Sequence, residues 1–171
     1  NRLTDEVALS YIKEAVLTYN SACHKAAAVR RPRMVGWCTR LLTRVSSLMV
    51  GPALAGLAEE GVPFTLTLAG QNQRPDNPEF TWVHERLGER IVHHGYVPDH
   101  EYRDFLLGSD VVVSAADHEF FGIAIVEAIA AGAVPILPNR LSFPELIEPR
   151  WQNAALYPDG ELRNRLRSVL T

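Results

Sequence analysis

Apolar runs of strand length alternate along most of the chain with segments of helical length. Strands are predicted at 34–38, 64–69, 91–96, 111–114, 134–137 and 154–157. Helices are predicted at 47–60, 79–87, 100–107, 122–131 and 160–170, with a short helical turn at 142–147. The continuously apolar run Val111–Val113 is typical of a strand buried on both faces of a parallel sheet. The alternation therefore predicts an α/β fold: a Rossmann-like doubly wound parallel sheet with helices on both faces.

The first 31 residues are set apart from this series. Apolar residues between Leu3 and Tyr19 recur at helical spacing, and Thr4 with two following acidic residues is typical of a helix start. Pro32, inside a basic break, blocks continuation of the helix. We predict an N-terminal helical segment and linker at 1–31 and a main domain at 32–171. The opening has neither an initiator Met nor a signal-peptide core, so we expect a piece of a larger protein.

The composition and net charge indicate an ordinary globular protein. The 171 residues, 47% hydrophobic and 22% charged, suit one globular domain with a sizeable core and exclude a disordered or low-complexity chain. The formal charge of −3 offers no overall field for a polyanion or a membrane surface. Nucleic-acid binding by this domain would therefore need a local basic patch.

The two cysteines, Cys23 and Cys38, have neither zinc-site nor disulfide-framework spacing, and a reducing cytoplasm is the simpler expectation. The longest apolar stretch, 123–137, is interrupted and too short for a bilayer, which requires about 20 residues. We therefore expect a cytoplasmic protein with no membrane span and no metal site.

The stretch from Ser114 to Ala128 carries the candidate chemistry, because it runs from a strand end through a polar loop into a helix. Gly122 lets the backbone approach a ligand, and the N–H groups that open the helix favour a phosphate. Two carboxylates bracket this point, Glu119 and, eight residues later, Glu127. Carboxylates beside a phosphate site suit neutral hydroxyl groups, so we expect a ligand with both a phosphate and a polyol.

This stretch resembles the E-x7-E region of the retaining GT-B glycosyltransferases of the family-4 type, also called glycosyl transferases group 1. Residues 130–136 (AAGAVPI) and 144–147 (PELI) are similar to the turn and the segment that follow in that family. The resemblance spans about residues 33–157 and is most specific at 114–147. More narrowly, HEFFG at 118–122 and PNRLSFPEL at 138–146 look like the branch that contains the tRNA-queuosine mannosyltransferases and their bacterial relatives.

The resemblance implies a C-terminal domain that binds a nucleotide-diphosphate sugar. In such enzymes the first glutamate, here Glu119, contacts donor-sugar hydroxyls, and the N–H groups of Gly122 and Ile123 bind the diphosphate. Glu127 would hold the ribose hydroxyls. The nucleobase would lie against the loop after the third strand, where Tyr96 or Val97 would cover its face.

Two further assignments follow from the resemblance. Arg40 and Arg44 are the nearest equivalents of the family's basic pair that grips the diphosphate. This part departs from the family pattern, since Gly36-Trp37 stands where Gly-Arg is usual and Arg44 replaces a lysine. His118, beside Glu119, either touches the donor sugar or orients the loop.

The implied activity is retaining transfer of a hexose from a GDP- or UDP-linked donor, with mannose from GDP-mannose as one candidate. The acceptor would be a glycan or a modified tRNA, bound on an N-terminal domain absent from this chain, so the isolated domain is expected to be inactive. No metal or other cofactor is implied, because N–H donors and arginine can stabilise the leaving diphosphate. A non-catalytic Rossmann-like module that binds a nucleotide for regulation is the alternative. A dehydrogenase-type domain is disfavoured, because no G-x-G-x-x-G follows the first strand.

Overall fold

A six-stranded parallel sheet runs through residues 33–38, 44–70, 78–119 and 122–171, the part of the chain that the computed structural model describes. The strands are β1 (Arg33–Cys38), β2 (Phe64–Ala69), β3 (Ile91–Gly95), β4 (Val111–Val113), β5 (Val134–Pro138) and β6 (Leu156–Tyr157). The helices are α1 (Arg44–Glu59), α2 (Pro78–Leu87), α3 (Asp99–Gly108), α4 (Ile123–Ala130), α5 (Phe143–Leu146), α6 (Pro149–Ala155) and α7 (Leu162–Leu170). The helix and linker predicted at 1–31 lie outside the described residues.

The strand order β3-β2-β1-β4-β5-β6 confirms the predicted doubly wound fold. The chain builds outward from β1 through β2 to β3, then returns to place β4 on the other side of β1. Val35 of β1 is in register with Leu66 of β2 and with Val111 of β4. In such sheets, ligands bind outside the carboxyl ends of the strands where the order reverses, here β1 and β4.

Burial on both faces of the sheet explains the unbroken apolar run in β4. All three of its residues are buried. Val111 and Val113 belong to a core cluster with apolar residues of α1, α2 and α7. Val112 belongs to a second cluster with residues of α4, α5 and α6. Because successive side chains of a strand point to opposite faces, a strand covered by helices on both faces is apolar along its length, as β4 is.

The end of the domain differs from the prediction in one element. A helix, α6, occupies Pro149–Ala155, so the strand predicted at 154–157 contracts to Leu156–Tyr157. Pro149 suits the first turn of a helix, where its missing N–H costs nothing. The Gln152 side chain also donates from α6 to the carbonyls of Pro144, at 2.9 Å, and Ile147, at 3.1 Å. These contacts are tertiary, and apolar spacing alone carries no sign of them.

Candidate functional site

Gly122 begins α4 in a left-handed conformation, with φ +75° and ψ +41°. A Cβ at this position would lie 3.5 Å from side-chain atoms of Phe143 and Leu146, an ordinary contact distance. The dihedral angles, rather than lack of space, therefore favour glycine here. The turn leads the chain from the carboxyl end of β4 into the helix.

The first turn of α4 presents backbone donors next to a carboxylate. Ile125 and Val126 donate the first helical hydrogen bonds, to the carbonyl of Gly122 at 2.9 and 3.0 Å. The N–H groups of Ile123 and Ala124 precede these bonds at the positive end of the helix. Glu119 Oε1 accepts the N–H of Gly122 at 3.0 Å, so its carboxylate lies at the same helix end. Ile123 is 54% exposed, which leaves the beginning of the helix accessible.

Glu127 lies further along α4 and is half-buried. The hydroxyl of Tyr102, on α3, donates to Glu127 Oε2 at 2.8 Å. Tyr102 was not among the predicted site residues. The two residues are 25 positions apart on different helices, and no motif in the sequence pairs them.

Three more of the predicted site residues lie on two loops: Tyr96 and Val97 follow β3, and His118 precedes Glu119. Tyr96 follows β3, is 60% exposed and donates its hydroxyl to Asp99 Oδ1 at 3.2 Å. That hydrogen bond to a carboxylate raises the pKa of Tyr96. Val97 is buried, and His118 is exposed on the loop that carries Glu119.

The predicted diphosphate clamp is Arg40 with Arg44, and the side chains of both residues lie outside the described part of the chain. Arg40 falls in the undescribed segment 39–43. Arg44 is the first residue of α1, which places its backbone but not its guanidinium. The structure thus brings Glu119, Gly122 and the first turn of α4 together, and leaves the clamp a prediction.

Buried hydrogen bonds hold the loop between β4 and the site. Tyr157 donates its hydroxyl to the carbonyl of Ser114 at 2.8 Å, and burial raises the pKa of this tyrosine. Its hydroxyl is therefore a neutral donor over the whole physiological range. Arg140, to which sequence reasoning gave no role, bonds the next residues of the same loop.

The described ranges contain neither a metal site nor a membrane-spanning helix. No group of three or more His, Cys, Asp or Glu side chains there is arranged to hold a metal ion. None of the helices described combines the length and apolar character that a membrane crossing requires.

Comparisons with known proteins place the chain among glycosyltransferases. The tRNA-queuosine alpha-mannosyltransferase of Drosophila melanogaster is 42% identical over 93 residues, which cover 54% of this chain and 25% of that protein. A GDP-mannose-dependent alpha-(1-6)-phosphatidylinositol dimannoside mannosyltransferase of Mycobacterium tuberculosis is 29% identical over 96 residues, covering 56% of this chain and 24% of that protein. The alignments thus span about a quarter of each relative.

Solved structures share the fold. Anabaena HepE in complex with UDP-glucose has a TM-score of 0.63 and 22% identity, covering 87% of this chain and 41% of that one. A family model described as Glycosyl transferases group 1 matches residues 44–171. The resemblance based on the two glutamates is thereby confirmed: the chain belongs to the glycosyl transferases group 1 family and has the Rossmann-like fold of its GT-B members.

Proposed function

We propose that this domain binds a nucleotide-diphosphate sugar at the carboxyl end of β4 and is the donor half of a retaining hexosyltransferase. The observation that carries the proposal is the placement of Glu119 at the α4 N-terminus, with Glu127 further along the same helix. That helix end follows β4, one of the two strands at which the sheet order reverses.

The helix end supports the binding and departure of a diphosphate. When the bond to the sugar breaks, negative charge grows on the leaving oxygens, and fixed N–H donors stabilise that charge without rearranging. The N–H of Ile123 is the donor we assign to this role, with Arg40 and Arg44 as the basic clamp. The N–H of Gly122 is bonded to Glu119 Oε1 in this structure and would bind the diphosphate only after leaving that carboxylate. No metal ion is needed for this form of stabilisation.

The two carboxylates suit the two polyol parts of the ligand. Glu119 is held beside the helix end by its bond to the Gly122 N–H, where it would accept from hydroxyls of the donor sugar. Glu127 is oriented by Tyr102 and would accept from the ribose. His118, exposed on the same loop, is assigned to the sugar side of the site, and Tyr96 with Val97 to the nucleobase.

Mannose from GDP-mannose is the donor we favour, because the Drosophila and Mycobacterium relatives are both named as mannosyltransferases, the latter as GDP-mannose-dependent. The complex of HepE with UDP-glucose makes UDP the second donor base to test. We propose that the acceptor is a modified tRNA or a glycan and that a separate N-terminal domain binds it. We propose that the reaction takes place in the cytoplasm.

Calorimetric titration with GDP, UDP and ADP tests the donor site. We expect one nucleotide to bind preferentially, and Glu127→Ala to weaken it about tenfold through the lost charge-assisted hydrogen bonds. Glu89→Ala, an exposed carboxylate beside the amino end of β3, is the matched control and should bind like the parent chain. No binding of any of the three nucleotides would overturn the proposal.

Sugar transfer must be measured separately from nucleotide binding, because a non-catalytic regulatory module would also bind the nucleotide. In the full chain, assayed with its acceptor domain, Glu119→Ala should leave the affinity for the nucleoside diphosphate within about twofold and remove sugar transfer. If a transferring parent kept its rate after this substitution, Glu119 would have no role in the reaction. A chain that binds the nucleotide and transfers no sugar would be the non-catalytic module.

A further inference from the structure

We propose that Arg140 is a positioning residue for the donor-sugar side of the site. It lies on the loop after β5 and holds the segment that leads from β4 to Glu119. This inference rests on the proposed function, because the segment matters to chemistry only if Glu119 meets the donor sugar.

The Arg140 guanidinium bonds three successive residues of that segment. Nη2 lies 2.7 Å from Asp117 Oδ1 and 3.4 Å from the carbonyl of Ala115. Nε donates to the carbonyl of Ala116 at 3.3 Å. Nη1 reaches away from the segment, to Asp159 Oδ1 at 2.6 Å.

Tyr157 extends this set by one residue. Its hydroxyl binds the carbonyl of Ser114, so side chains from the far half of the sheet hold the carbonyls of 114, 115 and 116 in succession. The segment follows β4 directly. The Ser114 N–H still donates to the carbonyl of Ile136 on β5 at 3.1 Å, and the pairing of the strand ends after it. Together with the bond from the Ala116 N–H to Ser114 Oγ at 3.2 Å, Tyr157 and Arg140 thus set the direction of the chain toward Glu119.

The turn that carries Arg140 is itself fixed. Arg140 N–H donates to the carbonyl of Pro138 at 2.8 Å, and Asn139 N–H donates to that of Tyr157 at 2.9 Å. Leu141 follows with φ +57°, a left-handed conformation that a leucine adopts only when its surroundings impose it. A side chain anchored on such a turn is a rigid support rather than a mobile surface charge.

An arginine fits this role where a lysine does not. Its planar fork can bond two carbonyls and a carboxylate at once, whereas an ammonium group is a single point of charge. Arg140 is 26% exposed and Asp117 35% exposed, so their contact is partly shielded from water. Asp159 is 88% exposed, and its bond to Arg140 should contribute little.

The test compares Arg140→Gln, Arg140→Lys and Asp159→Asn in the full chain. Calorimetry gives the dissociation constants for GDP and GDP-mannose, or for UDP and UDP-glucose if the parent prefers UDP. Hydrogen exchange of residues 114–119 reports the segment directly. Arg140→Lys retains the charge, and it keeps the comparison available if Arg140→Gln does not fold.

We expect Arg140→Gln to leave nucleoside diphosphate affinity nearly unchanged and to raise the ratio of the nucleotide-sugar to the diphosphate dissociation constant about tenfold. Arg140→Lys should recover part of that ratio, and Asp159→Asn should match the parent. Hydrogen exchange at residues 114–119 should be fastest in Arg140→Gln, intermediate in Arg140→Lys and equal to the parent in Asp159→Asn. Equal ratios in all variants of a nucleotide-binding parent, or unchanged exchange in Arg140→Gln, would overturn this inference alone. A parent that binds neither GDP nor UDP would overturn the proposed function, and this inference with it.

Discussion

At the scale of single residues, the hydroxyl of Tyr102 decides how the Glu127 carboxylate is presented. A half-buried carboxylate on a helix can adopt several rotamers, and the 2.8 Å bond from Tyr102 favours one of them. Holding the acceptor in place before the ligand arrives reduces the ordering cost of binding.

Tyr102→Phe should therefore weaken nucleoside diphosphate binding roughly three- to tenfold, the range of one hydrogen bond, without abolishing it. Calorimetry with GDP, or with UDP if that is the preferred nucleotide, provides the measurement. Ser168→Ala is the control, because it removes an exposed hydroxyl that bonds a backbone carbonyl on α7, outside the proposed site. Equal affinities of the parent and Tyr102→Phe would mean that Glu127 needs no orienting partner.

Local pattern was enough to predict that some residues of the candidate site lie together. Glu119, Gly122 and Glu127 lie within nine consecutive residues of one strand-loop-helix unit, so their order fixes their neighbourhood. Tyr102 and Arg140 reach the same unit from other elements, 25 positions from Glu127 and 23 from Asp117. Contacts of this kind depend on tertiary packing, which a single sequence does not encode as a local pattern.

At the scale of elements, a histidine pair joins α2 to the edge strand β3. His84 Nε2 lies 2.7 Å from His94 Nδ1, and Phe80 contacts the His94 ring at a centroid distance of 5.0 Å. His93, the next residue, contacts Phe105 of α3 instead. Neighbouring residues of β3 thus meet helices on opposite faces, because successive side chains of a strand alternate between the two faces of the sheet.

The contact between His84 and His94 should make stability depend on pH. Burial, then the nearby charges of His84 and His93, lowers the pKa of His94 below its ordinary value. The folded chain therefore prefers neutral His94, and the stability this gives is complete above about pH 6.5 and declines as the pH falls toward the lowered folded pKa. Two protonated rings would also have no acceptor between them.

Denaturant unfolding at about pH 8 and about pH 5.5 measures the effect. His94→Gln should lose less stability between these two pH values than the parent chain, because one titrating group is gone. His100→Gln, which removes an exposed histidine of α3, should keep the parent's pH dependence. If the parent and His94→Gln lost the same amount, the histidine pair would not contribute.

The spacing of apolar residues along the sequence predicted the helices and strands that are long or fully buried. The three-residue β4 was predictable because apolar residues on both sheet faces leave an unbroken run. The seven-residue α6 was missed, since it is positioned by Gln152 and by its proline start rather than by a long apolar stripe.

At the scale of the whole molecule, the last helix closes the domain against the first helix described. Glu60, just after α1, accepts from Arg163 and from Arg167, whose Nε and Nη2 approach it at 3.0 and 2.6 Å. These bonds, the Arg167 bond foremost, lower the pKa of Glu60. The partners are more than 100 residues apart, and the contact joins α7 to the end of α1 on the face away from α4.

The face of the sheet that α1 and α7 cover therefore differs from the edge of the sheet at the carboxyl ends of β1 and β4, where the proposed ligand binds. One core cluster lies under α1, α2 and α7, and the other under α4, α5 and α6. The proposed ligand mainly contacts the loop and helix start of the second group, and it otherwise meets the start of α1 at Arg44 and the loop after β3. Binding should therefore stabilise the two halves of the domain unequally at the local level.

Hydrogen exchange with and without saturating GDP, or UDP if that binds instead, tests this expectation. Protection should rise at 114–119 and 122–127, and should change little in α7 below global unfolding. The unfolding free energy should increase by about 2.7 kcal/mol at a free nucleotide concentration of about 100 Kd. Glu127→Ala at the same nucleotide concentration should show a smaller increase, because its Kd is higher. Protection confined to α7 and the carboxyl-terminal half of α1 would place the nucleotide away from the proposed site, since Glu119 and Glu127 would then have no ligand to hold.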